Sequence, residues 1–190
     1  MRINVKKQLA LRVLSTAAVM TMVTSIAAPA FADAYGIDVY GIYNVGNGSV
    51  TVVGNKVTYT DNNGNLHKDE EDNDEEGIII TGKTNENNVT LNGATVTIRD
   101  LEVDANETGK AAISSSGKTT IELDGNNKLT GGKDHASLEK VSSALPGKLS
   151  DPNHTLTITD TNHDGSLTAQ GGENGAGIGG GGKTVSDGTV

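Results

Sequence analysis

The chain of 190 residues contains no cysteine and no tryptophan, one phenylalanine (Phe31) and three prolines. Disulfides are therefore excluded, and stability must come from burial, from backbone ladders or from a bound metal. Tyr35, Tyr40, Tyr43 and Tyr59 are the only other large aromatic side chains, so the chain has few of the bulky groups that fill a broad globule. A narrow stack filled by Val, Ile, Leu and Ala needs none. Positive charge is also scarce: 15 lysines and arginines stand against 24 acidic residues, a net charge of −9. Such a surface repels phosphate backbones, which argues against nucleic acid as a partner, and an anionic ligand would need a bridging cation.

One stretch is long, apolar and uncharged, from Leu14 to Ala28. Arg2, Lys6, Lys7 and Arg12 precede it and Ala30-Phe31-Ala32 follows, which together read as a cleavable secretory signal over 1–32. Its removal takes away four basic residues and leaves a net charge of −13. The expected location is extracellular, secreted or attached to the cell surface, with no membrane contact after cleavage.

What the chain has in quantity is short alternation closed by turns. Val89-Thr-Leu-Asn-Gly93, Thr120-Ile-Glu-Leu-Asp-Gly125 and Leu156-Thr-Ile-Thr-Asp160 with Asp164-Gly165 each place apolar side chains two residues apart and then turn. Alternation of period two makes one face of a strand apolar, and Asn-Gly or Asp-Gly stops it. Such a unit cannot bury its own apolar face, so it stacks on copies of itself. The expectation is an all-β fold of short stacked strands, with Leu91, Leu123 and Ile158 pointing into one shared interior.

Residues 33–68 read as an N-terminal β cap. Within it, Ser49–Val53 and Lys56–Thr60 flank the hairpin dipeptide Gly54-Asn55. The tyrosines gather there, either closing the end of the stack or offering faces on which sugars stack. The acidic run 69–76 cannot pack and is expected to be a solvated loop. Coils are expected over 77–190, with an insertion at 133–154 in which Leu138, Val141 and Leu145 are spaced as one helix face.

The segment Ser166-Leu-Thr-Ala-Gln-Gly-Gly-Glu-Asn-Gly-Ala-Gly-Ile-Gly-Gly-Gly-Gly182 resembles secreted Gram-positive carbohydrate-binding-domain proteins, in which a Gly-Ala-Gly-Ile-Gly-Gly-Gly string recurs. The resemblance covers roughly residues 77–190. It implies a right-handed parallel β-helix similar to that of polysaccharide lyases, and a polysaccharide or cell-wall glycan as partner. The function it implies is noncatalytic carbohydrate binding. A structural stalk or adhesin segment of a larger surface protein is the alternative, and a polysaccharide lyase a further one. The scarcity of rings beyond Tyr59 favours the stalk, because sugar modules usually stack aromatic faces. A row of polar side chains along one coil face would favour binding.

Asp160-Thr-Asn162-His-Asp164-Gly165 fits the opening of a calcium loop, with three side-chain oxygens two residues apart and a glycine for the turn. Gly171 stands where an EF-hand places its bidentate glutamate, so Asp160, Asn162 and Asp164 are expected to hold calcium weakly or to form a plain turn. His67, His135, His154 and His163 show no metal-ligand pair at helix spacing, and no Gly-x-Ser-x-Gly elbow occurs. Arg99 is the sole arginine after residue 32. No catalytic residues are assigned.

Overall fold

The structure, a computed structural model, describes residues 41–141 and 154–181. The signal segment 1–32, Tyr35, Tyr40, Leu145 with most of the expected insertion, and the chain from Gly182 onward lie outside the described residues. The strands are β1 (Ile42–Asn44), β2 (Val50–Val53), β3 (Lys56–Thr60), β4 (Leu66–Glu71), β5 (Ile79–Thr84), β6 (Val89–Asn92) and β7 (Thr95–Asp104). They continue with β8 (Ile113–Ser116), β9 (Thr119–Thr130), β10 (Leu138–Lys140), β11 (Leu156–Thr159), β12 (Gly165–Gln170) and β13 (Ile178–Gly179). The described fold is all-β, with no α-helix.

Two sheets hold these strands, and neither is closed. The first runs β1-β5-β7-β9-β11, with β12 also on β9; the second runs β13-β10-β8-β6-β2-β3-β4. From β5 to β10 consecutive strands alternate between the sheets, so each pair returns in parallel over the pair before it. Only β2-β3 and β3-β4 pair antiparallel. The expected turn at Gly54-Asn55 joins β2 to β3, with Val53 opposite Lys56 and Gly54 at φ 62°.

The core is a set of columns made by equivalent positions on successive strands. In the second sheet Val50, Val89, Ile113, Leu138 and Ile178 are register partners in turn. In the first, Val96 pairs with Ile121 and Ile121 with Ile158. Leu91 and Leu123 are buried and Ile158 packs against the same cluster, as the alternation requires. In β7 the inward residues are Val96 and Ile98, then Leu101 and Val103, so the phase slips by one residue at Arg99-Asp100. A bulge absorbs the slip: the β7-β9 register shifts between Arg99 and Glu102, and Asp100 takes φ 46°. That is why residues 95–104 form one bent strand with two inward phases.

Three local expectations change. The three similar passages are not equivalent: Gly125 is the partner of Gly165, but Val89–Asn92 lies in the second sheet and pairs with Ile113–Ser116. From β5 to β10 successive strands belong to alternate sheets, so similar passages can occupy different sheets. The helical face at Leu138 and Val141 is absent, because Leu138–Lys140 forms β10 between β8 and β13. There, Leu138 fills a buried column, and that contact outweighs weak helical spacing. Finally, Asp69, Glu70 and Glu71 belong to β4 rather than to a loop. An edge strand facing water tolerates a charge run, which also discourages pairing with another chain. The parallel pairing also reaches upstream of Gly77, since β1 pairs with β5 and β2 with β6.

Candidate functional site

The inward columns of the first sheet fix what its other face presents. Side chains alternate across a strand, so residues between Val96, Ile98, Ile121 and Ile158 point outward. Thr95, Thr120 and Thr157 are register partners in turn, and so are Thr97, Glu122 and Thr159. Arg99 partners Asp124, and beyond the bend Lys83 partners Glu102 and Glu102 partners Lys128. Adjacent strands lie about 4.8 Å apart, so these side chains form ladders at that repeat. The outward face is thus a row of hydroxyl and charged groups.

The charged members of the row hold their neighbours in place. The Arg99 Nε donates to Asp124 Oδ2, and Lys83 Nζ donates to Glu102 Oε2 at 2.7 Å. Glu122 accepts the Thr159 hydroxyl, the Thr161 amide and, at 3.0 Å, the Thr161 hydroxyl. The Thr159 hydroxyl, followed by the Thr161 amide, holds the Glu122 carboxyl below the usual carboxylate range. Lys83 does the same for Glu102. An ordered row of this kind presents fixed donors and acceptors without a side-chain ordering cost on binding.

The suspected calcium residues sit at one end of this row. Asp160 to Asp164 interrupt the last strand pair: β11 ends opposite Glu122 and β12 resumes opposite Gly125. The extra residues loop out, with His163 at φ 61°. Asp160 Oδ1 accepts the Gly165 amide at 3.1 Å, and Asn162 Nδ2 donates to Asp164 Oδ2 at 2.9 Å. The structure therefore brings Asn162 and Asp164 together and turns Asp160 to the closing glycine. Among the described residues no group of three or more His, Cys, Asp or Glu is placed to hold a metal.

The glycine-rich segment packs against residues 131–135. Gly131 and Gly132 run above Gly171 and Gly172, and Gly131 N donates to Gln170 O at 2.8 Å. A Cβ on Gly172 would stand 1.9 Å from Gly132 O, and one on Gly175 1.9 Å from His135 O. Space demands glycine here. Lys133 pairs with Glu173 at 3.1 Å and Asn174 Nδ2 donates to Asp134 Oδ1 at 3.1 Å, so the two segments match along their length.

Described tyrosines do not form an open platform. Tyr43 is buried, its ring meets Tyr59 edge-on at 4.7 Å, and Tyr59 lies flat against His67 at 4.8 Å. Burial, with the hydrogen bond to Asp72 adding to it, pushes the Tyr43 hydroxyl well above its ordinary pKa. One residue was hidden from sequence reasoning: Lys140 is buried and its Nζ donates to Gly117 O at 2.5 Å. Burial lowers its pKa. Its place two residues after Leu138 was the available signal, because Val52 and Leu91 occupy the matching inward positions after Val50 and Val89.

No protein-family model, no curated protein and no solved structure matches this chain. Among the described residues no helix is long and apolar enough to cross a membrane.

Proposed function

We propose that this chain is a noncatalytic carbohydrate-binding module of a secreted or cell-surface protein, and that the outward face of the first sheet is where a glycan lies. The observation that carries the reading is the in-register polar row, Thr95-Thr120-Thr157 beside Thr97-Glu122-Thr159. A polysaccharide presents hydroxyl groups at regular intervals along an extended chain. A flat face with donors and acceptors repeating every ~4.8 Å offers partners along such a chain. Net negative charge directs the choice toward neutral glycans. The architecture we infer is a right-handed parallel β-helix. Alternation of β5 to β10 between the two sheets, with parallel pairing throughout that stretch, supports it, as does the rule that parallel crossover connections are right-handed in about 98% of cases.

The stalk reading draws on one specific observation, the packing of Tyr43 and Tyr59 inside the hairpin region. One experiment separates the two. The full chain is passed over insoluble neutral polysaccharides and compared with the triple variant Thr95→Val, Thr120→Val and Thr157→Val. Valine keeps the shape and strand preference of threonine and removes the hydroxyl. Binding by the wild type should weaken at least ~10-fold in the variant, since each hydrogen bond is worth about 0.5–1.5 kcal/mol. Thermal unfolding should stay unchanged. Retention on no polysaccharide, or equal retention of both proteins, overturns the binding reading and leaves the stalk.

Calcium at Asp160, Asn162 and Asp164 belongs to this proposal as a weak aid. Rotation of the Asn162 amide would put its oxygen, instead of its Nδ2 donor, beside Asp164. Melting in calcium and in chelator, for the wild type and Asp164→Ala, tests it. A shift of equal size in both proteins means the loop is only a turn.

A further inference from the structure

We infer that His67 is a proton-operated clamp on the β3-β4 hairpin, held as an imidazolium between the carboxylates of Asp61 and Glu70. Its Nε2 lies 3.0 Å from Asp61 Oδ2 and its Nδ1 lies 3.0 Å from Glu70 Oε1. An ionised carboxylate can only accept, and a neutral imidazole has one N–H to give. Only the doubly protonated ring makes both bonds. A neutral ring keeps one and turns a lone pair toward the other carboxylate.

The surroundings fix the geometry. Asp61 also accepts the amides of Asn63 and Asn65 at 2.9 and 2.8 Å, and the Asn65 side chain at 3.0 Å. The Asn65 side chain first, then His67, holds its carboxyl well below the usual carboxylate range, so Asp61 is a fixed charge. From β3, Tyr59 lies flat on the imidazole ring, 8° from parallel. Behind it, Tyr43 of β1 donates to Asp72 at 2.9 Å. Lys56 lies across the hairpin against Glu71 at 3.9 Å, so the charges facing the ring are those of Asp61 and Glu70.

The Glu70 carboxylate, and after it Asp61, raises the His67 pKa above its ordinary value. The clamp is therefore fully formed below the unfolded value near 6.5 and is lost as pH rises through the higher folded value. Asp61 contributes in the opposite sense: its share is present above about 3.9 and is lost as pH falls through its depressed folded value. The hairpin is firmest in weak acid, between those limits. Because β3 covers the edge of β2, the clamp sets how tightly that edge of the second sheet is closed.

Two measurements on the full chain test this. Nitrogen NMR titration should place the His67 midpoint above 6.5, with both ring nitrogens protonated at that pH. Hydrogen exchange of the β3-β4 amides, corrected for intrinsic rates, should lose protection as pH passes the midpoint, by about tenfold for each unit of upshift. In His67→Gln that pH dependence should vanish, and in Glu70→Gln the His67 midpoint should fall. His135, His154 and His163 are present in every variant, so the difference from wild type isolates His67. A midpoint at or below 6.5, or the same pH dependence in wild type and His67→Gln, overturns the inference. The wild-type titration decides it even if a variant fails to fold.

Discussion

Asn127 shows how much a single polar side chain does inside this stack. It is 2% exposed, and its amide touches three strands at the bend. Oδ1 accepts the Leu101 amide at 3.0 Å, while Nδ2 donates to Asp124 O at 3.0 Å and Ser166 O at 3.1 Å. The bulge in β7 and the turn at Gly125 break the regular ladder, and this amide replaces the missing backbone partners. Asn127→Ala should cost about 1–3 kcal/mol in urea unfolding, because a buried N–H then has no acceptor. Asn127→Asp should be worse at neutral pH, since a carboxylate can serve Leu101 but would face two carbonyl oxygens with nothing to donate. Acidification should recover part of that loss by returning one donor. If Asn127→Asp matches the wild type at pH 7, the amide does not carry the bend.

At the level of elements, the glycine-rich segment makes the sharpest claim. Gly175→Ala would set a Cβ 1.9 Å from His135 O, a backbone atom of the neighbouring segment that cannot move aside cheaply. About 1–3 kcal/mol of destabilisation is expected from the overpacking. Thr168→Ala, on the exposed side of β12, should stay within about 0.5 kcal/mol and serves as the control. Equal unfolding midpoints for the two variants would show the segment to be loose. The same segment explains what could be read in advance. Alternation and turn residues revealed the strands and their inward faces, because Val, Ile and Leu every second residue leave one choice of face. They did not reveal which sheet a strand joins: Val89–Asn92 and Thr120–Leu123 look alike but occupy different sheets, a difference set by contacts distant in sequence. The polar row was legible only as a condition, since Thr95, Thr120 and Thr157 become neighbours solely through that register. Asp61, His67 and Glu70 carried no readable signal: the turn brings Asp61 to His67, while Glu70, three residues from His67 on β4, reaches it where Asp69 at φ 50° breaks the strand's alternation.

Over the whole molecule, burial is unequal along the stack, and stability should follow it. Ile121, in the middle, is fully buried, whereas its register partner Ile158 on β11 is only partly so. Leu167 and Ile178, on the neighbouring strands β12 and β13, are likewise partly buried, while their register partners Asn127 and Leu138 are buried. In a stacked fold each layer contacts mainly its neighbours, so stability is close to a sum of local terms. The strands β11 to β13 should then open before β7 to β9 do. Hydrogen exchange should show their amides exchanging at lower free energy, with the amides of β7 and β9 nearest the global limit. Mutation should report the same gradient: Ile121→Ala is expected to cost about 2–5 kcal/mol and Ile158→Ala about 1–2, because less apolar surface leaves water there. Equal costs at the two positions, or uniform exchange across the described strands, would mean that they unfold as one unit and that β11 to β13 are as firmly held as β7 to β9.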